Sequence, residues 1–372
     1  MLLNEPYEPK AAGAPAKGQH PEPQIIMSSR VRLARNLRGE RFPDWASERE
    51  RVEVLRRVGT AAVQAAEHPD AKVIPMEGID GVRMETMRER SLISRDLVDR
   101  GVGAGVVYAG IHSLSIMINE EDHIRIQAFE FGLGLSRAWE IADAFDTRLE
   151  KLVPYAFSER LGYLTACPSN IGTGMRASVM VHLPGLRLSG DLDAVIRGLE
   201  RLRFTVRGIG GEGSAASGHR FQISNQGTLG LDERAVIASL ERVAVEVARQ
   251  EGLARKRVLR DMPVVVKDCV SRALAILQNA HLIQADEALD YLSAVRMGIE
   301  MGVIQDARPD VLEMLELMVH PGHLQGYLKE EMDPEQRDLR RADLLRERLD
   351  LWTVNEWLVR KARKRLIVKE KK

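Results

Sequence analysis

The 372-residue sequence predicts an α+β domain followed by an all-helical domain. Before residue 254, apolar and polar side chains alternate with the period of two that is typical of strands. Beyond that point the apolar residues recur at helical spacing alone. Residues 1–23 combine proline, alanine, glycine and charge, and we expect them to form a flexible N-terminal arm. The predicted domains are therefore 24–254 and 255–372.

The bulk composition argues against several classes of function. Hydrophobic residues make up 44% of the chain and charged residues 29%, and the formal net charge is zero, which gives no electrostatic reason to expect direct binding of nucleic acid. No apolar run reaches the length of a membrane span, and the first residues contain no apolar signal core. The two cysteines, Cys167 and Cys269, are too few for a disulfide framework. We expect a cytoplasmic protein that does not bind membranes.

The stretch SIMINEEDHIRIQAF, residues 115–129, is predicted to form one central strand. Its alternation places these polar side chains on one face: Glu121, His123, Arg125 and Gln127. The other face carries Asp122, Ile124 and Ile126, and its two isoleucines suit a core. One face therefore offers a carboxylate and a guanidinium to a ligand. His123 has no partner at metal-ligand spacing, and we interpret it as structural.

Three other stretches repeat this design. In QIIMSSRVRLARNL the alternating sets are Ser28, Arg30 and Arg32 against Ser29, Val31 and Leu33. In the strand that follows a loop beginning at Cys167, the alternating sets are Arg176, Ser178 and Met180 against Ala177, Val179 and Val181. A fourth strand ends at Arg207, and the glycine-rich loop that follows carries Glu212.

Helical spacing predicts the helices of both domains. Residues 47–67 begin at a Ser47 cap, residues 135–152 carry a strong apolar stripe, and residues 232–251 are expected to end at Gly252. The helices predicted for the second domain are 257–279, 286–301, 309–319, 333–349 and 354–366.

Five arginines lie on the polar faces of the predicted strands: Arg30, Arg32, Arg125, Arg176 and Arg207. Buried together, their guanidinium groups repel one another unless a polyanion neutralises them. Triphosphate fits, because planar guanidinium forks match phosphate oxygens and glycine loops add backbone donors. The alternative is that these arginines lie on unrelated surfaces in solvated ion pairs, and periodicity alone does not decide between the two.

Four segments together resemble the catalytic domain of the ATP:guanido phosphotransferases, the phosphagen kinase family that includes creatine and arginine kinases. The segments are SSRVRLARNL, NEEDHIRI, CPSNIGTGMRAS and VRGIGGE, between residues 28 and 212. The narrower resemblance is to the protein-arginine kinase (McsB-type) branch. We expect no counterpart of the helical N-terminal domain of phosphagen kinases, and RDLRRA at 337–342 resembles the phosphoarginine-binding motif RDxxRA of that branch.

This resemblance implies an antiparallel sheet flanked by helices, of the glutamine-synthetase-like kind, with ATP bound on it. The residues it assigns to ATP are Ser28, Ser29, Arg30, Val31, Arg32, Ser91, Arg125, Arg176, Ala177, Ser178, Val179, Met180, Arg207, Gly208, Ile209, Gly210, Gly211 and Glu212. In this set the backbone of residues 176–180 and 207–212 would line the nucleotide. Mg²⁺ would lie on the phosphates rather than in a metal site made of side chains. Ser91 departs from the family pattern, because relatives carry a histidine there that contacts the nucleotide.

The resemblance also implies three catalytic residues, Glu121, Glu212 and Cys167. An arginine side chain has a pKa of about 12.5–13.8, so it is not a nucleophile at neutral pH. Carboxylates on its nitrogens can orient it in line with the γ-phosphate, and one of them can accept the proton. A thiolate at Cys167 would add a negative contact. Taken alone, a single cysteine is also compatible with a small buried hydrophobe.

In the second domain the resemblance assigns phosphoarginine binding to Arg337, Asp338, Arg341 and Ala342. On a helix over 333–349, Arg337 and Arg341 are one turn apart, so both could contact the phosphate while Asp338 contacts the guanidinium. The alternative is a solvated helix with charges at i and i+4. The resemblance, not the spacing, favours the binding site.

The function implied is ATP-dependent phosphorylation of arginine side chains in proteins. It would mark substrates with exposed arginines for a Clp-type unfoldase and protease and inactivate a DNA-binding stress repressor. A zinc-binding activator of the McsA type, a homo-oligomer and allosteric control through phosphoarginine are implied as well. Two alternatives stay open: a phosphagen kinase that acts on free arginine, and a weakly active phosphoarginine-binding module.

Overall fold

The computed structural model describes residues 25–108, 114–208, 216–305 and 307–354. The predicted N-terminal arm lies outside the described residues. So does the predicted last helix, apart from its first residue at 354.

Twelve strands occur in the described part of the chain. They are β1 (Ile26–Arg35), β2 (Lys72–Pro75), β3 (Gly105–Tyr108), β4 (Leu114–Ile118), β5 (Ile124–Phe131), β6 (Phe157–Ser158), β7 (Gly162–Tyr163), β8 (Met175–His182), β9 (Phe204–Gly208), β10 (Arg220–Asn225), β11 (Ile304–Gln305) and β12 (Thr353–Val354). Eight of them form one sheet in the order β2-β3-β4-β5-β1-β8-β10-β9. Every neighbouring pair in this sheet is antiparallel, which confirms the predicted fold class.

Twelve α-helices of the described residues accompany these strands. They are α1 (Glu48–Ala66), α2 (Gly81–Glu89), α3 (Arg95–Arg100), α4 (Leu135–Glu150), α5 (Pro184–Ser189), α6 (Leu192–Arg201), α7 (Glu233–Asp261), α8 (Pro263–Asn279), α9 (Ala285–Glu300), α10 (Pro309–Met318), α11 (Pro321–Leu328) and α12 (Pro334–Leu349). Helix α1 begins at the predicted Ser47 cap, whose hydroxyl accepts from the Glu50 N–H in a capping box. Helix α12 begins with the same arrangement between Asp333 and Gln336.

One face of the main sheet is apolar and forms the larger core. On β1 and β8 the residues of this face include Val31, Leu33, Ala177 and Val179, and none of them has solvent-exposed area. Helices α4 and α7 pack on this face, and Phe145 of α4 is buried within it. Burying this face fixes the strand register, so the alternating polar residues are all directed to the opposite face.

The stretch 115–129 is not one strand, as predicted, but the hairpin β4–β5. Asn119 adopts a left-handed backbone conformation with φ of 59°, and its N–H donates to the His123 carbonyl at 3.0 Å to close the turn. Its side-chain amide donates to the carbonyls of Arg51 and Gly103. The acidic residues 120–122 therefore occupy a turn at the end of the sheet. His123 is buried in this turn, where its ring bonds to the backbone of residues 37 and 41.

Helix α7 does not end at Gly252, as predicted, but continues to Asp261. The reason is a tertiary contact: the buried Glu251 carboxylate accepts hydrogen bonds from the N–H groups of Gly185 and Leu186 at 2.8 Å. The predicted helix 257–279 is interrupted where α8 begins at Pro263.

The helices beyond residue 254 enclose a second core. Ala254 belongs to the sheet core and Val258 to the helical core, so the predicted boundary falls inside α7 rather than in a linker. Helix α11 and the short ribbon β11–β12 were not predicted. Within the described ranges, no helix is long and apolar enough to span a membrane.

The contacts that join the helical domain to the sheet domain include those of α11 and α9. Helix α11 lies so close to α2 that a Cβ at Gly322 would come within 2.6 Å of the Thr86 nitrogen. The Glu89 carboxylate accepts from the Gly322 N–H at 2.6 Å at this junction. On α9, Asp290 accepts from the Gly218 N–H at 2.6 Å.

Candidate active site

The register of the sheet gathers the predicted arginines on its polar face. Arg32 on β1 lies directly opposite Arg176 on β8 and opposite Gln127 on β5. Arg207 on β9 lies opposite Gln222 of β10. Side chains paired across antiparallel strands share a face. The polar face therefore carries Ser28, Arg30, Arg32, Arg125, Gln127, Arg176, Ser178, Met180, Arg207, Gln222 and Ser224.

These arginines have few partners. Arg30 Nη2 donates to Gln222 Oε1 at 2.6 Å, and Arg176 Nη2 is 3.3 Å from Ser224 Oγ. Arg125 pairs with Glu120. Among the described residues no carboxylate forms an ion pair with Arg30, Arg32, Arg176 or Arg207, and Nε of Arg32 and of Arg176 is buried without an acceptor.

The pKa values report the resulting repulsion. Burial, together with the charges of Arg125 and Arg176, lowers the pKa of Arg30 from 12.5 to about 10. The pKa of Arg32 is also lowered well below its ordinary value, by burial and then by Arg30, Arg125 and Arg176. The pKa of Arg176 is lowered by burial and then by Arg207. The strand register therefore argues against the alternative of unrelated surfaces, and the repulsion adds to the effect of burial. A polyanion would relieve this repulsion.

Four residues of the predicted nucleotide set have side chains on the face opposite to the arginines. The side chains of Ser29, Val31, Ala177 and Val179 lie in the core on the opposite face, where the Ser29 hydroxyl donates to the Gly132 carbonyl at 2.7 Å. Strand alternation requires this, because neighbouring residues face opposite sides. A nucleotide on the polar face would therefore meet only backbone atoms of these four residues, which is the kind of contact predicted for Ala177 and Val179.

The remaining positions of that set divide into two groups. The carbonyl of Ser91 accepts a 2.6 Å hydrogen bond from Gln127, so Ser91 borders the polar face. Gly208 ends β9 beside Arg207. The predicted contacts Ile209, Gly210, Gly211 and Glu212 lie outside the described residues.

Glu121 lies in the turn between β4 and β5, at the Arg125 end of the polar face. It lines a cavity of about 660 Å³ with five other charged residues: Asp44, Arg51, Asp96, Asp99 and Arg100. Burial raises the pKa of Glu121, the neighbouring Asp122, Glu120 and Asp44 carboxylates add to the rise, and Arg125 opposes it. A carboxylate with a raised pKa is a stronger proton acceptor than an ordinary glutamate.

Cys167 lies in the loop that leads into β8. It is half-buried, and its Sγ lies 3.0 Å from Ser169 Oγ. The sulfur lies within electrostatic reach of Arg176. The alternative of a buried hydrophobe does not fit these polar surroundings.

Sequence reasoning missed three polar residues of this face. Gln222 and Ser224 alternate with the buried Phe221 and Ile223, the same period-two signal that identified the arginines, and it was not applied to this strand. Glu120 is 1% exposed and pairs with Arg125. No sequence signal separated Glu120 from the adjacent acids, because the turn decides which of them faces Arg125.

The predicted phosphoarginine motif on α12 is also partly corrected. Arg341 is only 1% exposed. Its guanidinium donates to the carbonyls of Val319 at 2.6 Å and Ile283 at 2.7 Å and to Asp338 Oδ1 at 2.5 Å. Ala342 is buried as well. Arg341 therefore cannot contact a phosphate at the surface, and it orients Asp338 instead. This leaves Arg337 and Asp338, both half-buried, as the accessible pair.

Comparisons with known proteins agree with this geometry. Residues 53–254 match the family model of the ATP:guanido phosphotransferase C-terminal catalytic domain, and residues 263–358 match that of the protein-arginine kinase McsB C-terminal domain. The chain is 42% identical over 334 residues to the protein-arginine kinase of Halothermothrix orenii, which covers 90% of this chain and 95% of that one. It is 42% identical over 350 residues to the protein-arginine kinase of Bacillus cereus strain B4264, with 94% and 97% covered.

Among solved structures, that of a lombricine kinase is similar with a TM-score of 0.55 and 27% identity, over 63% of this chain and 68% of that chain. The family-model match over residues 53–254 includes every strand of the polar face except β1. The matches to the two protein-arginine kinases run nearly the length of the chain. The chain therefore belongs to the ATP:guanido phosphotransferases, a family of phosphotransferase enzymes, and within that family to the protein-arginine kinases.

Proposed function

We propose that this enzyme transfers the γ-phosphoryl group of ATP to arginine side chains in proteins. The observation that carries the proposal is the position of Glu121, which lines an acidic cavity at the edge of a face crowded with arginines. The arginine face suits a polyanion, and the carboxylates of the cavity suit a guanidinium. The two complementary surfaces meet at the Glu121 turn.

The roles of the residues follow from their charges. Arg30, Arg32, Arg125, Arg176 and Arg207 hold the phosphate oxygens and offset the charge that develops during transfer. Mg²⁺, bound through phosphate oxygens and water, would supply further charge neutralisation. Within the described ranges no three histidine, cysteine or acidic side chains cluster as metal ligands.

Glu121 has the role of proton acceptor. As a guanidinium nitrogen forms its bond to the γ-phosphorus, the bond from that phosphorus to the ADP oxygen breaks, and the carboxylate takes the proton from nitrogen. Cys167 and Glu212 orient the guanidinium, the first through negative charge on sulfur and the second from its loop. Transfer by positioning and charge needs no covalent intermediate on the enzyme.

Incubation with ATP and Mg²⁺ and either free arginine or an unfolded arginine-rich protein tests this proposal. We expect phosphoarginine in the protein, detected by mass spectrometry at neutral pH, and little turnover of the free amino acid. Efficient turnover of free arginine with none of protein would favour the phosphagen kinase alternative instead. We expect Glu121→Gln to reduce the rate by about 100-fold or more, as loss of a general base does, and an unchanged rate would contradict the assigned chemistry.

We further propose that Arg337 and Asp338 bind phosphoarginine and control the kinase allosterically. Both side chains are half-buried on α12, and Arg337 lies within electrostatic reach of Glu85 on α2 of the sheet domain, which supports this. Arg337 and Asp338 would contact the phosphate and the guanidinium, respectively. Replacing both by alanine should abolish binding of a phosphoarginine peptide, measured by calorimetry. Unchanged affinity would favour a solvated helix and argue against both the site and the phosphoarginine-binding alternative.

The cellular role is a proposal that rests on family likeness. Phosphorylation replaces a positive guanidinium with a negatively charged group, so it would weaken the grip of a repressor on DNA phosphates. We propose that phosphoarginine marks cytoplasmic proteins for a Clp-type protease, with a zinc-binding McsA-type activator and a homo-oligomeric kinase. A pull-down with phosphorylated and unphosphorylated substrate should recover the unfoldase only with the former.

A further inference from the structure

A buried cluster of hydrogen bonds joins the segments that carry Glu121 and Cys167. The Asp122 side chain is 4% exposed, and its Oδ1 accepts from the Ala166 N–H at 2.7 Å and from Asn36 Nδ2 at 2.6 Å. Asp122 directly follows Glu121, and Ala166 directly precedes Cys167. The two candidate catalytic residues are therefore attached to the two ends of one hydrogen bond, although they are distant in the chain.

Asn36 completes the cluster from the end of β1. Its Nδ2 also donates to the Leu164 carbonyl at 3.0 Å, and its Oδ1 accepts from the His123 N–H at 2.9 Å. Asn36 is 1% exposed. Both the hairpin turn and the loop before Cys167 are thereby tied to the strand that carries Arg30 and Arg32.

We propose that Asp122 is a positioning residue, whose carboxylate sets the separation of Glu121 and Cys167 so that both reach one guanidinium. The inference rests on the proposed function, since it requires both side chains to contact the substrate. A charged acceptor suits this task, because a charge-assisted hydrogen bond is about twice as strong as a neutral one. Successive Cα atoms are about 3.8 Å apart, so any shift of the Asp122–Ala166 bond moves both neighbours.

The test compares two alanine variants by steady-state kinetics of protein-arginine phosphorylation. Asp122→Ala should lower kcat about 100-fold, the usual effect of misplacing a reacting group by about 1 Å. KM for ATP should stay within about twofold, because the variant leaves the arginine face untouched. Asp122→Asn keeps an oxygen in the accepting position, so it should restore kcat to within about tenfold of wild type. Glu251→Ala is the control, since it removes a buried carboxylate that accepts from two backbone N–H groups and from Arg255, at the opposite end of β8 from Cys167, and should leave kcat unchanged.

Alkylation of Cys167 by iodoacetamide, followed by peptide mass spectrometry, gives a second measurement. Its rate should change by more than about threefold in Asp122→Ala and not in Glu251→Ala. If Asp122→Ala does not fold, Asn36→Ala replaces it, with kcat expected to fall about tenfold. Wild-type kcat in the folded variant used would overturn the inference. Full activity in Glu121→Gln would instead refute the proposed function, which is a separate result.

Discussion

The arginines on the polar face lower the free energy of unfolding of the nucleotide-free protein, and replacing Arg30 would show by how much. Burial, Arg125 and Arg176 lower the pKa of Arg30 from 12.5 to about 10. At pH 7 this guanidinium is charged in both the folded and the unfolded chain, so the lowered pKa measures destabilisation of the fold. Each pKa unit is worth about 1.4 kcal/mol, so the charge of Arg30 costs the nucleotide-free fold about 3 kcal/mol.

Arg30→Met removes the charge and keeps an apolar stem. The variant also loses the 2.6 Å hydrogen bond to Gln222 and the contact of the guanidinium with the Phe129 ring, 5.6 Å from its centroid. These losses offset about 1–2 kcal/mol of the gain. We expect the nucleotide-free variant to be more stable than wild type by about 1–2 kcal/mol.

Urea unfolding with and without ATP and Mg²⁺ measures both effects. ATP at 100 times its dissociation constant should stabilise wild type by about 2.7 kcal/mol and the variant by much less. Arg35→Met is the matched control, because Arg35 is a buried arginine that pairs with Asp146 at 2.7 Å. Breaking that pair should destabilise the fold by about 3–5 kcal/mol.

Two results would refute the reasoning. If Arg30→Met destabilises the fold as Arg35→Met does, the guanidinium groups of the polar face do not repel one another in the folded protein. If ATP still stabilises the variant fully, Arg30 is not part of the anion site.

Three further predictions concern titration and burial. Glu121 must be ionised to accept a proton, so activity should fall as the pH drops through its raised pKa. Asp44→Asn removes one of the charges that raise this pKa, so it should move the acidic limb of the pH–rate profile to lower pH. Burial, followed by nearby arginines, lowers the pKa of His182, so His182 is protonated at a higher pH in the unfolded chain than in the folded chain. Stability should therefore fall by up to about 1.4 kcal/mol per pH unit for this group below about pH 6.5, and the pH dependence of urea unfolding should be flatter in His182→Gln. Arg341→Met should destabilise the fold by about 3 kcal/mol, because it leaves buried carbonyls without a donor, whereas Arg337→Met should stay within about 0.5 kcal/mol by the same measurement.

Strand alternation was the most reliable guide to the site. It assigned Arg30, Arg32 and Arg176 to one face correctly, because a buried apolar face permits only one register. It also argued against Ser29 and Val31 as side-chain contacts, although the family resemblance included them. A resemblance transfers whole segments, whereas the two faces of a strand have different surroundings.

Local signals were less reliable at element ends. Gly252 indicated a helix end, yet α7 continues because Glu251 binds the backbone at residues 185 and 186. Asn119 turns the chain where the hydrophobic pattern suggested a continuous strand. Neither outcome follows from propensity, since each depends on partners distant in the sequence.

The sequence by itself determined the composition of each face: which arginines are opposite which apolar residues, and that Arg337 and Arg341 lie one turn apart. Only the tertiary structure decided that five strands lie side by side in the order β5-β1-β8-β10-β9. It also decided that Glu121 lies in a turn beside Arg125, and that Arg341 is buried against carbonyl groups while Arg337 is not. The physical reason is that periodicity specifies the direction of a side chain within its own element. The groups that meet that side chain come from other elements, and their positions depend on how the whole core packs.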